Sequence, residues 1–409
     1  MSDPSSSSPR VEIAGSDRYI DPHWDFVGTG ELSTPTEVTV YVRDPAGPAQ
    51  AGAAGSAGAP MSREEYQAAH RATDADIQGV IDFAATHGLA VGDVSPERRS
   101  ILLTGTVGAI AEAFGADIGL YSHPGGVFRG RSGPLTVPSH LAPVITGVFG
   151  LDNRMAARAQ FRPAAAPAVQ YTPPQVAKAY NFPTSVTGAG QCVAILEFGG
   201  GFRVADINAY FNQIGVPTPT VVAVSVDGGV NSPSTPNTAD AEVMLDIDVV
   251  GGVAPGAKIA VYFAPNTEQG FVDAVTTATH DAINRPSVIS ISWGGPEANW
   301  TQQAIQQIEQ AFAAATAMGV TVTSASGDNG SADRLTDGKQ HTDFPSSAPH
   351  AVGCGGTSLF ATGSQITSET VWNSGPGGGA TGGGISDVWP VPPYQPTASL
   401  PPSVNDGQR

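Results

Sequence analysis

Glu242 and Asp246 stand four residues apart in the run TADAEVMLDIDVVGG (238–252), which reads as a helix. That spacing projects both carboxyls from one helical face. Val243, Leu245, Ile247, Val249 and Val250 flank them, so at least one carboxyl is expected to leave water. Two close carboxyls in a low dielectric cannot both ionise readily, and such a pair can take and return a proton. On an exposed helix the same spacing is only a solvated face, and both readings stand at this level. A second acid, Asp328, ends an apolar strand-like run in SASGDNGS (324–331). It reads either as part of a tight turn or as a protonated carboxyl that donates a hydrogen bond to a developing oxyanion. Histidine offers no competing scheme. None of the eight lies in an H-E-x-x-H spacing or near a Gly-rich Ser motif, and His341 and His350 read as loop surface.

The elements that position these acids change character along the chain. Residues 1–35 are polar and read as a mobile arm. EVTVYVR (37–43) alternates like a half-buried strand, and GPAQAGAAGSAGAP (47–60) is a flexible tract. Thr73 caps a helix stopped by Gly88, RRSILLTG is a strand, and TVGAIAEAFG is a short helix. ADIGLYS and GVFRGR are strands, with a helix around SHLAPVITG before VFGLDN. Residues 36–150 therefore form a small α+β domain. Residues 151–170, with Arg154, Arg158 and Arg162, read as a linker and a processing site. From 171 to 409, apolar strands (QCVAILEFGG, TVVAVSVDGG, KIAVYFAP, SVISISWGG, VTVTSASGD) alternate with helices. This is the pattern of a doubly wound α/β domain with a parallel sheet. Glu197 before GGG, SWGG (292–295) and SGDNG (326–330) all follow strands, at the edge where open parallel sheets bind ligands.

Composition narrows the classes. The 409 residues hold 19 basic and 37 acidic side chains, for a net charge of −18, which disfavours nucleic acid. No apolar run is long enough to span a membrane, and no secretory signal is visible at MSDPSSSSPR. Residues 1–163 carry a net −6 and residues 164–409 a net −12. Acid relieves that repulsion, and neutralised carboxylates are expected to weaken contact between the two halves. Cys192 and Cys354 lie in apolar runs and read as buried free thiols rather than a disulfide or metal site.

Residues 165–409 resemble the catalytic domain of the sedolisins, the serine-carboxyl peptidases. The motifs that carry this are YTPPQVAKAYNFP, VAILEFGGG, EVMLDID, APGAKIAVYFAPNT, SISWGGPE, SASGDNGS, FPSSAPHAVGCGGT, ETVWN and GGGISDVWPVPPYQ. Residues 37–150 resemble the family's ferredoxin-like activation-peptide domain. The resemblance implies a subtilisin-like parallel-sheet domain, C-terminally incomplete here, and an acid-acting endopeptidase zymogen, monomeric and extracellular. It makes Glu242 the general base, Asp246 its partner and Asp328 the oxyanion donor. Glu197 and Trp293 would extend the acid network. Ser292, Trp293, Gly294 and Gly295 would pair with an extended peptide substrate, with Asp343 bordering the cleft. The chain's own first domain would be its inhibitor. The family's nucleophile and calcium ligands are expected beyond residue 409, so residues 1–409 are expected to be inactive. Gly356-Thr357-Ser358 aligns with a non-catalytic segment, giving Ser358 a structural role. The alternative function is a peptide-binding decoy that keeps the cleft without a nucleophile.

Overall fold

The computed structural model describes residues 9–47, 59–123, 126–162, 170–234, 238–375, 377–395 and 403–405. The flexible tract expected at 47–60 lies almost wholly outside them, as do 163–169 of the linker.

The first domain begins with β1 (Arg10–Glu12), β2 (Asp25–Gly28) and β3 (Pro35–Val42), then α1 (Arg63–His70) and α2 (Asp74–Thr86). β4 (Ala90–Ser95), β5 (Ser100–Thr106), α3 (Val107–Phe114), β6 (Asp117–His123), β7 (Gly126–Ser132), β8 (Thr136–Pro138) and β9 (Ile145–Phe149) follow. β4-β5-β3-β9 form one antiparallel sheet, backed by α2 and α3, in a ferredoxin-like order. The local signals work as read from the sequence. Thr73 Oγ1 accepts from the Asp76 N–H at the start of α2, and Thr106 Oγ1 from the Ala109 N–H at the start of α3.

Two expectations fail here. Residues 9–35 are not a free arm: β1 pairs with β8, β2 pairs with β6, and Ile13 and Ser16 are buried. A short polar segment is held by partners far along the chain, which local composition does not reveal. The helix expected around SHLAPVITG is instead a turn leading into β9. Pro143 has no N–H to give to a helix, and the β-branched residues after it complete the sheet beside β3.

β10 (Arg158–Ala159) and α4 (Pro173–Ala179) lead into the second domain. There β11 (Cys192–Glu197), α5 (Val204–Ile214), β12 (Thr220–Ser225), α6 (Thr238–Val253), β13 (Lys258–Phe263) and α7 (Glu268–His280) alternate. β14 (Val288–Ile291), β15 (Trp293–Pro296), α8 (Gln302–Ala317), β16 (Thr321–Ala325), β17 (Asp343–Phe344), β18 (Val352–Cys354), β19 (Thr357–Thr362) and β20 (Gln365–Val371) complete it. β12-β13-β11-β14-β16-β18 form a six-stranded parallel sheet. Strand periodicity splits the core in two. Ala194, Leu196, Ala260 and Tyr262 face α7 and α8, while Ile195, Ile259, Val261 and Phe263 face α5 and α6. Tyr41 and Phe149 of the first domain join the α7/α8 side, so the two domains share that core.

Cys192 is buried as expected, but Cys354 is exposed. It lies on β18, the last strand of the sheet, and no strand pairs beyond it among the described residues. Ser358 sits in the β19–β20 hairpin opposite Thr370.

Candidate active site

On the face of α6 that meets the sheet, Glu242 is buried and Asp246 half-buried. Val243 and Ile247 are fully buried beside them, whereas Leu245 and Val249 are exposed. Not all flanking apolar residues therefore desolvate the carboxyls; those one turn apart on the inner face do. Glu242 is 1% exposed, and its Oε2 has no hydrogen-bond partner among the described residues. Burial, then the charges of Asp246 and Asp328, push Glu242 up to about 9. Asp246 is pushed by burial to about 6, held down by the Ser292 hydroxyl, which donates to both of its oxygens at 2.9 Å. The two carboxyls therefore hold one proton between them, and the pair keeps an oxygen able to accept another.

Glu197, at the end of β11, is fully buried and accepts a hydrogen bond from Trp293 Nε1 at 2.8 Å. Burial first, and the charge of Asp246 next, raise it well above the usual carboxyl range. Asp328 follows β16 across Gly327, whose φ of +98° suits glycine. Residues 380–382 clamp that loop: the Ala380 N–H donates to Asp328 O at 3.1 Å and the Gly382 N–H to Gly327 O at 2.7 Å. Partial burial raises Asp328, against the pull of Arg162 and Arg334. Its charge in turn reaches Glu242. The structure thus brings Glu197, Glu242, Asp246, Asp328, Ser292 and Trp293 together at the carboxyl ends of the strands.

The linker is not free either. β10 adds antiparallel to β15, with Arg158 opposite Gly294 and Ala159 opposite Trp293. The Gln160 N–H then donates to Ser292 O at 2.8 Å. The chain enters this groove held by Asn266, whose side chain binds the backbone of Ala156 and Ala157. Past Gln160 it turns toward the acids, and Arg162 donates to the Asn329 side chain. Gly294 has to be glycine, since a Cβ there would lie 2.2 Å from Asp343 Oδ1.

Asp343 is 1% exposed on β17 and accepts from Gln160 Nε2 at 2.8 Å. Burial and the facing Asp333 raise it well above the usual range, so the two carboxyls hold a proton between them. Gln160 and Asp333 escaped sequence reasoning. Asp333 takes a left-handed φ of 38° that no neighbouring residue signals, and Gln160 acquires its role only when the linker lies in the groove.

Comparison with known proteins gives two family matches. Residues 49–154 match "Pro-kumamolisin, activation domain" and residues 220–385 match "Subtilase family". Kumamolisin of Bacillus sp. (strain MN-32) is 47% identical over 361 residues, which is 85% of this chain and 65% of that protein. Sedolisin of Pseudomonas sp. (strain 101) is 26% identical over 367 residues, 84% of this chain and 62% of that protein. The chain thus spans somewhat under two thirds of the length of these relatives. The solved structure of Pseudomonas sedolisin, a serine-carboxyl proteinase complexed with two molecules of pseudo-iodotyrostatin, superposes with a TM-score of 0.52 at 27% identity. That match covers 58% of this chain and 68% of the other. With an activation domain of the pro-kumamolisin type ahead of a subtilisin-like sheet, the chain belongs to the sedolisin family in a pro-enzyme-like form.

Proposed function

We propose that this chain is the zymogen of an acid-acting serine-type endopeptidase. The observation that carries the reading is the seating of β10 on β15 beside the convergent carboxyls, the way an extended peptide substrate adds to a sheet edge. In this reading Glu242 takes the proton of a serine nucleophile, and Asp246, tied to Ser292, holds and buffers it. Asp328, kept neutral in acid, donates to the oxyanion of the tetrahedral intermediate. Its anion would repel that oxyanion, which sets an acid optimum. Glu197 and Trp293 support the pair from behind.

The nucleophile is assigned to a serine outside residues 1–409, because Ser358 belongs to a hairpin. Residues 1–409 alone are then inactive. Calcium, expected from the family resemblance, would likewise be held by residues outside them. Substrates are peptides or proteins, and the first domain is the intramolecular inhibitor of a monomer acting outside the cell. Nucleic acid is no partner for a net charge of −18. No membrane anchorage is assigned; among the described residues no helix is long and apolar enough to cross a bilayer.

The path of the linker marks its own processing region. Pairing with β15 ends at Gln160, and Arg162 then reaches Asn329 beside Asp328, so in this reading the processing bond lies in the linker from Gln160 onward. The test is to express the gene's whole open reading frame, incubate it at pH 4 and identify the new N-terminus. Cleavage within residues 151–170 that Glu242→Gln abolishes is the expected result. Unimpaired processing by that variant would overturn the base assignment, and peptide binding without turnover would favour the decoy.

A further inference from the structure

The last residue of α7 lies under the first domain. His280 is 9% exposed, and its Nδ1 has no hydrogen-bond partner among the described residues. Tyr66 of α1 leans on the imidazole with ring centroids 5.9 Å apart, and His70 stacks on Tyr66 at 4.3 Å. Arg63, also on α1, donates to the carbonyls of Thr279 and Pro286, which seats its guanidinium over the end of α7. Arg98 and Arg99, from the turn between β4 and β5, add two more cations facing the same ring.

The neighbouring carboxylates are committed elsewhere. Asp44 binds His70 Nδ1 at 2.8 Å and lies 3.6 Å from Arg99. Asp93 pairs with Arg98, and Glu64 with Arg285. Asp281 takes the Tyr262 hydroxyl and the Asn284 side chain. A helix C-terminus ordinarily welcomes an imidazolium. Here burial, and then Arg99, Arg63 and Arg98, hold His280 neutral and lower it to about 3.

We propose that His280 is a proton-operated catch between the two domains, which releases the first domain when the imidazole becomes charged. The three arginines that oppose that charge all arrive on the first domain, so separation removes them and the burial together. Once in water the ring returns toward its ordinary ~6.5. The open form then binds a proton that the closed form refuses, and closure weakens as pH falls from about 6.5 toward 3. The catch assumes nothing about peptidase chemistry.

A second cluster on the same interface works in the opposite direction. Asp273 on α7 accepts from Thr39 Oγ1 at 2.6 Å and Tyr41 Oη at 2.5 Å, beside a cavity of about 220 Å³ that Asp227 also lines. Burial and Asp273 raise Asp227 to about 9, so closure takes up a proton there and acid favours it. Neutralised carboxylates therefore do not loosen this part of the interface, contrary to what net charge suggests. The imidazole does.

The experiment compares the full chain with His280→Gln by amide exchange of α1 between pH 6.5 and 4.5. An eight-residue helix is marginal by itself, so protection of Arg63–His70 reports closure. The acid cluster is present in both chains, so the ratio of their exchange rates isolates the imidazole. That ratio is expected to grow about tenfold per pH unit as pH falls; a constant ratio overturns the proposal. In the wild-type chain, nitrogen chemical shifts of the His280 ring decide independently should the variant fold poorly. A neutral ring at pH 5 in the closed chain supports the catch, and titration near 6.5 overturns it.

Discussion

Two of the regions that hold titratable groups away from water differ in what keeps them dry. Around Glu197, Glu242 and Asp246 the cover comes from α6, β11 and the β14–β15 segment, all within the second domain. Around Asp273 and His280 the cover comes from β3, α1 and the β4–β5 turn of the first domain. The crevice acids thus owe their protonation to their own domain, with only the linker strand β10 laid across them. The interface groups owe theirs to a contact that can open. One region carries a fixed ionisation state and the other a conditional one, although the same desolvation acts in both.

The largest expected effect tests the fixed region. Glu242 sits above its unfolded value, so the unfolded chain loses that proton first as pH rises. Stability should fall between about pH 5 and 8, by on the order of 1 kcal/mol per pH unit at most. Urea titrations of the chain across that range should show the fall, and Glu242→Gln should reduce it, leaving the slope of the other raised carboxyls, Asp246, Glu197, Asp227 and Asp343. A slope unchanged in the variant would place the uptake elsewhere.

A smaller effect is expected at the conditional region. Asp273→Ala leaves the hydroxyls of Thr39 and Tyr41 without their acceptor, at about 1–3 kcal/mol. That loss should appear as faster exchange of β3 and α1, with the crevice carboxyl resonances unmoved. Movement of the Glu242 resonance would show that the two regions are coupled. Least of all should come from Arg285→Ala, because its ion pair with Glu64 is solvent-exposed. No measurable shift in the urea midpoint or in α1 exchange is expected, and a clear loss of closure would mean that surface pairs hold the domains together after all.

Much of the crevice was legible before any coordinates. An i,i+4 acid pair, a Gly-Asp-x-Gly turn after an apolar strand and a Trp-Gly-Gly segment after another are local patterns, and local patterns survive in sequence. The ferredoxin-like sheet was partly legible for the same reason, through the Thr73 and Thr106 caps and the alternation in β3. The turn at Pro143 was misread because an apolar run of that length suits helix and strand alike until its neighbour is known. Asp333, Gln160, Asp227 and Asp273 carried no signal, each being a common polar residue in an unremarkable run.

By itself the sequence determined which side chains could trade protons and which strands end beside them, because helical spacing and strand alternation are properties of a few adjacent residues. Only the tertiary structure decided that Arg158–Gln160 would lie on β15, that residues 9–35 would dock, and that His280 would be shut beneath three arginines. Those outcomes join segments far apart in the chain. Desolvation depends on everything that packs around a group, and no stretch of chain encodes its own surroundings.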